Sequence, residues 1–367
     1  MDSELLYQLA LPLIPNIGHV QAKILIEHLG SASAILTAKE SHLKKIEGIG
    51  EIRARSIKSF KDFKKAEEEI NFIQKYGITP LFITDKKYPQ RLLNCYDSPT
   101  LLFYKGEADL NVSKVVAVIG TRNHTDYGKH VTEELINELS SLQVLIISGL
   151  AFGIDAIAHK TALKNNLPTV GVLAHGLDQI YPQQHGALAK DMVKKGGGLL
   201  TEFRSRSNPD KHNFPTRNRI VSGMSDATIV IETGVKGGSM ITAELANGYN
   251  KDVFAFPGKV SDQRSAGCNY LIRNNKAILL TEAKELIECM NWDDQQKATR
   301  VRQKTIFIDL TENEERIVKI LGEKDSMHID ELNFKSSLSS STVAAAILNL
   351  ELLNVIVSLP GKLYRLT

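Results

Sequence analysis

The sequence between residues 115 and 280 repeats one pattern: a short apolar run, a turn that contains glycine, and an amphipathic segment. The first copy runs from Val115 to Ile119, mostly β-branched, and is followed by Gly120. Later copies pass through glycine turns at residues 148–153, 174–176 and 234–239. Such apolar runs are typical of strands buried on both faces, and the amphipathic segments of helices packed on a sheet. The pattern therefore predicts an extended Rossmann-like α/β fold with a doubly wound parallel sheet.

The glycine turns predict an anion site. Each turn follows the carboxyl end of a strand, so all of them collect at one edge of the sheet, where such folds bind ligands. Gly120, Gly149 and Gly153 let the backbone come close to a phosphate. Two of the turns also carry a cation, Arg122 and Lys236. None of them matches a P-loop or the glycine pattern of nicotinamide sites, so neither of those sites is supported.

The polar segment over residues 202–219 is the most basic part of this region. Its five cations outnumber its two acids, giving a net charge of +3 that equals the charge of the whole chain. The cations are Arg204, Arg206, Lys211, Arg217 and Arg219. Phe214 lies among them, and cations beside an aromatic ring suit single-stranded nucleic acid, whose bases stack on the ring. A solvated loop in which Phe214 anchors the core fits the same residues.

The segments outside the α/β region indicate further domains. Residues 14–25 and 46–57 share an apolar-glycine turn followed by an apolar helix, the pattern of a tandem helix-hairpin-helix. Such hairpins present a helix N-terminus to a phosphate, although a small helical bundle that packs or dimerises fits equally. The predicted organisation is a helical, helix-hairpin-helix or SAM-like domain over 1–75, an extended Rossmann-like DNA-binding domain over 76–290, a polar linker over 291–304 and a winged-helix domain over 305–367.

The last segment predicts a winged helix that does not read duplex DNA. Helical patterns over 312–321, 329–333 and 341–353 precede a β-hairpin around Pro360-Gly361. Residues 305–367 contain six Lys and Arg against nine Asp and Glu, a net charge of −3. The candidate recognition helix, 341–351, has no Lys or Arg, although docking in the major groove requires cations that neutralise phosphates. We therefore expect this domain to contact a protein partner or to modulate a dimer.

Several functional classes find no support in the sequence. Three cysteines without CxxC spacing argue against a structural zinc site or a disulfide framework and fit a reducing compartment. No apolar run could span a membrane and no signal-peptide pattern is present, so we expect a cytoplasmic protein. Ser148, Asp155 and His159 lie close together in sequence without the nucleophile elbow of a hydrolase. We expect Asp155 at a helix start, His159 on a helix surface, and no catalytic, metal or cofactor site.

A set of short motifs resembles the DprA/Smf family. The motifs are Ile119-Gly120-Thr121-Arg122, Tyr127-Gly128, Ser148 to Asp155, Tyr181-Pro182, Phe214 to Gly223, Gly237 to Ala243 and Phe256-Pro257-Gly258. The similar stretch covers residues 77–290, and the flanking segments fit the three-domain layout common in that family. Thr121 stands where the family usually has Ser, and His185 stands where Asn often follows Tyr-Pro.

The resemblance implies a DNA-processing protein of natural transformation and DNA uptake, which binds and protects single-stranded DNA and loads RecA recombinase. It also implies a homodimer without enzymatic activity or cofactor. With the glycine turns, it predicts these DNA- or phosphate-binding residues: Gly120, Thr121, Arg122, Ser148, Gly149, Gly153, Lys211, Phe214, Arg217, Asn218, Arg219, Lys236, Gly237, Gly238 and Ser239.

Two other functions remain open at this point. Residues 232–244 faintly resemble the glycine turn and glutamate of phosphoribohydrolase-like enzymes that act on nucleoside monophosphates, but lack that turn's second Gly-Thr. A nucleotide sensor would bind mononucleotides as tightly as oligonucleotides. For the homodimer, the apolar helical segment Ile241 to Tyr249 is the predicted contact of a two-fold symmetric pair.

Overall fold

The computed structural model describes residues 3–292, 310–324, 326–353, 355–359 and 361–366. The chain divides into two compact units, residues 1–292 and 293–367. The predicted linker lies almost entirely outside the described residues. Among those residues, no helix has the length and apolar character that crossing a membrane requires.

The first unit begins with six helices. They are α1 (Ser3–Ala10), α2 (His19–Leu29), α3 (Ala32–Thr37), α4 (Glu40–Leu43), α5 (Gly50–Ser59) and α6 (Lys64–Tyr76). The two predicted hairpins contact each other, because Arg53 of the second donates to the Asn16 carbonyl of the first (3.2 Å) and to the Gly48 carbonyl of its own turn (2.9 Å). The predicted helix-hairpin-helix pair is therefore present, with one of its nearby cations holding it together.

A nine-stranded sheet forms the centre of the unit. Its strands are β1 (Thr79–Phe82), β2 (Leu101–Gly106), β3 (Val115–Ile119), β4 (Leu145–Ser148), β5 (Thr169–Val172), β6 (Gly198–Thr201), β7 (Ala227–Val230), β8 (Asp252–Ala255) and β9 (Ile278–Leu279). The order is β1-β2-β6-β5-β4-β3-β7-β8-β9. The seven strands from β6 to β9 are parallel, while β1 and β2 form an antiparallel edge. The chain reverses its direction of travel across the sheet between β3 and β7.

Helices cover both faces of the sheet, as parallel strands buried on two sides require. They are α7 (Gln90–Leu93), α8 (Asp126–Leu139), α9 (Ile154–Lys164), α10 (Gly186–Lys194), α11 (Asn213–Met224), α12 (Gly238–Gly248), α13 (Ala266–Arg273) and α14 (Ala283–Cys289). Val116 and Val118 of β3 face α8, α9 and α14, whereas Val115 and Ala117 face the core that contains α11, α12 and α13. The core on the side of α11, α12 and α13 continues into the N-terminal helices through residues such as Leu25. The boundary at residues 75 and 76 thus stays a prediction.

The second unit is the predicted winged helix. It contains α15 (Glu312–Leu321), α16 (Ile329–Ser336) and α17 (Ser340–Leu352), with the three-stranded sheet β10 (Met327–His328), β11 (Ile356–Leu359) and β12 (Leu363–Leu366) in the order β10-β12-β11. Its helix starts follow local sequence: Glu314 accepts from the Thr311 amide (2.8 Å) in a capping box, and Ser339 accepts from the Thr342 amide (3.2 Å). Pro360 of the predicted hairpin lies outside the described residues.

Candidate functional site

A cleft of about 700 Å³ opens at the carboxyl ends of β3, β4 and β7. It lies where the strand order reverses between β3 and β7, the place at which doubly wound sheets bind ligands. The turns after β3 and β7 and the first turns of α11 and α12 form its walls. Neither helix has an acidic residue in its first turn, so the free amides and partial positive charge of both N-termini remain open to an anion.

Most of the predicted binding residues line this cleft. They are Gly120, Thr121, Arg122, Gly149, Lys211, Phe214, Arg217, Asn218, Gly237, Gly238 and Ser239. Residues up to 119 positions apart in sequence therefore meet at one sheet edge, as expected from turns that all follow strand carboxyl ends. Arg122 and Lys211 are exposed, so both can reach a ligand without uncovering other groups.

Four predicted residues do not line the cleft. The Ser148 hydroxyl is buried and donates to the Val118 carbonyl (2.6 Å), which fixes β4 against β3. Gly153 has φ of +80°, and a Cβ at this position would collide with the carbonyl oxygens of Thr121 and Arg122, so the glycine allows close contact with the turn after β3. Arg219 is buried in an ion pair with Glu202. Lys236 is exposed on the turn after β7 but lies outside the cleft wall.

Arg217 and Asp155 are both buried at the floor of the cleft, and the charge of each acts on the other. A Cβ at Gly149 would lie 2.2 Å from Nη1 of Arg217 and 2.5 Å from Oδ2 of Asp155, so only glycine leaves room for both groups. Burial raises the pKa of the Asp155 carboxyl, and the nearby Arg217 guanidinium and the Ala151 amide oppose that rise. Burial also lowers the pKa of Arg217.

The Arg217 guanidinium is only partly satisfied. One nitrogen donates to the Val172 carbonyl at the end of β5. Its Nε is buried and has no hydrogen-bond partner among the described residues. Buried donors normally find a partner, so this unsatisfied group marks the floor of the cleft as a place where a ligand or water completes the structure.

Aromatic side chains form the rim of the cleft. The guanidinium carbon of Arg122 lies 5.6 Å from the ring centre of Phe214, and the rings of Phe214 and Tyr181 are 6.0 Å apart. Tyr181 is 47% exposed, and Phe214 is half-buried with the Arg122 guanidinium over its ring. Sequence reasoning did not include Tyr181 among the site residues. The Tyr-Pro pair that follows β5 could have identified Tyr181, because it places an aromatic ring at the same edge of the sheet.

The turns around the cleft are tied to one another. The Thr121 amide donates to the Glu232 carbonyl (2.7 Å), and the Ile154 amide donates to the Thr121 carbonyl (3.2 Å). The Glu232 carboxylate is fully buried and accepts from both the amide and the hydroxyl of Thr125. Because each of its oxygens accepts a hydrogen bond from Thr125, Glu232 positions the loop after β3.

The expectation that His159 lies on a helix surface is wrong. The imidazole is fully buried, with Nδ1 2.6 Å from the Thr169 hydroxyl and Nε2 2.6 Å from the Gly149 carbonyl. Burial lowers its pKa to about 4, so it is neutral and joins α9 to two strands. Asp155 does lie in the first turn of α9, as expected. Within the described ranges, no group of three or more His, Cys, Asp and Glu side chains could hold a metal ion.

Comparison with known families matches all three parts of the chain. A family model described as DNA recombination-mediator protein A matches residues 79–291. A DprA winged-helix domain model matches residues 308–362, and a helix-hairpin-helix motif model matches residues 5–70. These ranges coincide with the sheet-containing region, the winged helix and the paired hairpins described above.

Individual proteins show the same similarity. Protein Smf of Synechocystis is 30% identical, over 99% of this chain and 99% of its own. DNA processing protein DprA of Streptococcus pneumoniae is 40% identical over 56% of this chain and 72% of its own. The solved S. pneumoniae DprA structure superposes with a TM-score of 0.65 at 32% identity, covering 78% of this chain and 98% of that one. A Helicobacter pylori DNA processing protein A structure, whose description concerns its single-stranded DNA binding mode, gives 0.54 at 30% identity over 59% and 97%.

Proposed function

The chain belongs to the DNA recombination-mediator protein A family, also named DprA/Smf, and from this premise we propose that its cleft binds single-stranded DNA. The observation that carries the proposal is the union, in one cleft, of exposed cations, two helix N-termini and an aromatic rim. Strand binding without sequence preference needs those parts: cations that follow the backbone and rings on which bases stack. The role in natural transformation and DNA uptake, including protection of the strand, is part of this proposal.

Each part of the cleft suits one part of a nucleotide. The glycine turns after β3 and β7 offer backbone amides without side chains in the way, and Arg122 and Lys211 add mobile positive charge. These groups suit phosphates. The rings of Phe214 and Tyr181 at the rim suit bases, which a single strand can turn outward and a duplex cannot. The cleft is therefore expected to prefer single strands.

The first prediction concerns the charge of the cleft. Arg122→Ala should weaken binding of an oligothymidylate by a similar factor for any sequence, because phosphates carry no sequence information. The slope of log Kd against log salt should fall by about 0.7 for each lost phosphate contact. Titration at several salt concentrations measures both quantities. Equal affinity of the wild-type chain for duplex and single-stranded DNA would overturn the proposed function.

Two matched controls accompany this titration. Lys190→Ala removes an exposed cation from α10, which packs against α9 on the opposite face of the sheet from α11. It should leave affinity and salt slope unchanged.

A chain lacking residues 300–367 should bind within a few-fold of the full chain, because α17 carries no Lys or Arg. A loss of two or more orders of magnitude, with the first unit folded, would show that the tail does bind DNA.

RecA loading is the further step of the proposed function. It is supported by the family membership and by the recombination role in the family's description. If the chain loads RecA, it should speed the formation of RecA filaments on single strands already covered by a single-strand-binding protein. Arg122→Ala should slow that formation in parallel with its loss of DNA affinity. The hydrolase alternative is not proposed, because the turn at Gly237-Gly238-Ser239 lacks the second Gly-Thr of those enzymes.

We also propose that the protein forms a two-fold symmetric dimer. The exposed edge of the sheet indicates which surface makes the subunit contact. Ile241, in the segment predicted to mediate contact, lines the DNA cleft, so it is poorly suited to a subunit interface. β9 is the edge of the sheet that the structure describes, and its Ile278 and Leu279 are each 45% exposed. An exposed apolar edge strand is a template for pairing with another chain. A second copy of β9 would cover it and give an isologous contact.

The dimer makes a direct prediction. Ile278→Lys with Leu279→Lys should convert a dimer to a monomer, because two charges on each copy would face their equivalents across the axis. Light scattering at micromolar concentration measures the mass. Ile52→Lys changes another strongly exposed apolar residue, on α5, and should leave the mass unaltered. A monomeric wild-type chain would count against the dimer.

A further inference from the structure

A second cleft, of about 590 Å³, lies in the first unit between α6 and the loop over residues 204–207. We call it the α6 cleft. Its walls carry four cations and two aromatic rings, the same combination as the cleft at the strand reversal. These side chains are Lys65, Lys75, Arg204, Arg206, Phe72 and Tyr76. No part of the proposed function described above uses them.

The two rings form a platform on α6. Phe72 and Tyr76 are one helical turn apart, and their ring centres are 4.8 Å from each other with a tilt of 48°. Tyr76 is 47% exposed, and Nζ of Lys75 lies 5.2 Å from the centre of its ring. An exposed ring beside a mobile cation can stack a base and neutralise the phosphate attached to it. Packing in the protein core does not account for a tyrosine exposed to this extent.

The loop opposite the platform is held in a fixed shape by carboxylates. Glu69, which is buried on α6, accepts from the Ser205 amide (3.0 Å) and hydroxyl (2.6 Å). Asp178 accepts from the Arg206 amide (3.0 Å), and Arg206 has the left-handed φ of +64° that non-glycine residues rarely adopt. Two acids from separate elements therefore hold the backbone that carries Arg204 and Arg206.

The cations of the α6 cleft are available, whereas its acids are largely occupied. Glu69 and Asp178 already accept the hydrogen bonds described above. Glu68 approaches Arg206 at 3.5 Å, but both side chains are at least half exposed, and such pairs contribute little. No ion pair or hydrogen bond to a described residue engages the side chains of Lys65 or Arg204. The lining holds four cations and three acids, a net charge of 4 − 3 = +1, so a phosphate entering the cleft meets a small excess of positive charge.

The two clefts are neighbours, because two segments of backbone run from one to the other. The loop that lines the α6 cleft up to Ser207 lines the first cleft from Pro209 onwards. Likewise Asp178 lines the α6 cleft and Tyr181 lines the first. Two or three residues of extended chain span at most about 7–11 Å. A stacked strand rises about 3.4 Å per nucleotide, so a few nucleotides cross this gap.

We propose that the α6 cleft is a second contact site for the same DNA strand, which runs from the first cleft across the loop at Asn208 to the platform of Phe72 and Tyr76. The proposal rests on the proposed function, since it assigns the path of the strand beyond the first cleft. Phosphates contact Arg204 and Arg206 on one wall and Lys65 and Lys75 on the other. A base stacks on Tyr76.

Oligothymidylates of about 6 and about 15 nucleotides test this path. Tyr76→Ala and the double variant Lys65→Ala, Lys75→Ala should leave affinity for the short oligomer unchanged, because it fills the first cleft alone. Tyr76→Ala should weaken binding of the long oligomer by at least about fivefold, the lower end of the effect of removing one stacked base. The double lysine variant should also weaken binding of the long oligomer, because it removes phosphate contacts. Affinities are compared between variants at one length, because a longer oligomer also offers more binding registers to every variant.

A charge-gain variant and a matched control sharpen the test. Glu68→Gln removes the carboxylate that lies 3.5 Å from the Arg206 guanidinium, so it should strengthen binding of the long oligomer and leave the short one unchanged. Lys190→Ala, on the opposite face of the sheet, should change neither. Equal effects of Tyr76→Ala on both lengths, or none on the long one, would overturn the second site. Failure of the wild-type chain to bind either oligomer would instead overturn the proposed function itself.

Discussion

Arg217→Met should lower the free energy of unfolding by about 3–5 kcal/mol near neutral pH, because it leaves the buried Asp155 carboxyl without the nearby positive charge that offsets its burial. Methionine fills most of the space of the arginine stem, so the loss comes mainly from charge and hydrogen bonding. The variant leaves the Asp155 carboxyl buried, with the Ala151 amide donating to it (3.2 Å). It also leaves the Val172 carbonyl without the donor from Arg217. Urea unfolding measures the difference.

The loss should shrink as the pH falls. Burial raises the pKa of Asp155 in the folded chain, and Arg217 opposes that rise, so removing Arg217 raises the pKa further. A carboxyl whose pKa is higher in the folded than in the unfolded chain binds more protons when folded. Acidification towards the usual carboxyl range therefore favours the folded variant at this group. The difference in free energy of unfolding between wild type and Arg217→Met should be smaller near pH 5 than near pH 7.

A second substitution isolates the pair. Asp155→Asn removes the uncompensated charge, so adding it to Arg217→Met should restore part of the stability that the single variant lost. Unfolding of the two single variants and the double variant completes a double-mutant cycle, whose coupling energy should fall within about 0.5–3 kcal/mol. Strictly additive effects, or a pH-independent loss, would show that Arg217 stabilises the chain without sensing Asp155.

The order and type of the elements could be predicted because their causes are local. Residues 115–119 are a continuous apolar run, and 227–230 are apolar apart from Thr228; a glycine turn follows each, so strand and turn were evident from residue type alone. The cleft could be predicted for a related reason. Parallel strands bring their carboxyl ends to one edge whatever the sequence between them, and Gly120, Gly149 and Gly237 meet there.

The roles of individual cations could not be predicted, because they depend on partners distant in sequence. Arg217 and Arg219 lie two residues apart in the same basic motif, yet on a helix such residues point in different directions. Arg217 reaches the cleft, whereas Arg219 pairs with Glu202, which also lies 3.1 Å from His19 of the first hairpin. The sequence shows that both are cations in a polar segment. Only the fold shows that Arg219 binds Glu202, which in turn contacts His19 and so links the helical region to the sheet.

The α6 cleft illustrates the same limit. Glu69 and Ser205 are separated by 136 positions, and their contact creates the second basic surface. The charge count of residues 202–219 included Arg204 and Arg206 in a single patch with Lys211. The structure divides that patch between two clefts, with Lys211 lining the first and both arginines lining the second.

Phe214→Ala should weaken single-strand binding by about 1–3 kcal/mol, roughly 5–150-fold in Kd, because a base loses its stacking partner. The slope of log Kd against log salt should change little, since no charge is removed. This separates Phe214→Ala from Arg122→Ala, which should reduce the slope. Titration of an oligothymidylate at several salt concentrations measures both, with Lys190→Ala as the unchanged reference.

Phe214→Leu decides between stacking and a packing role, because leucine keeps apolar volume and loses the flat ring face. If Phe214 only anchored its helix in the core, leucine would restore most of the affinity that alanine loses. If bases stack on it, leucine should bind nearly as weakly as alanine, whereas Phe214→Trp, with a larger ring, should bind at least as well as wild type. The position of the ring, half-buried and 6.0 Å from the exposed Tyr181, favours stacking. Full affinity of Phe214→Leu would show that Arg122 and the glycine turns bind the strand without help from this ring.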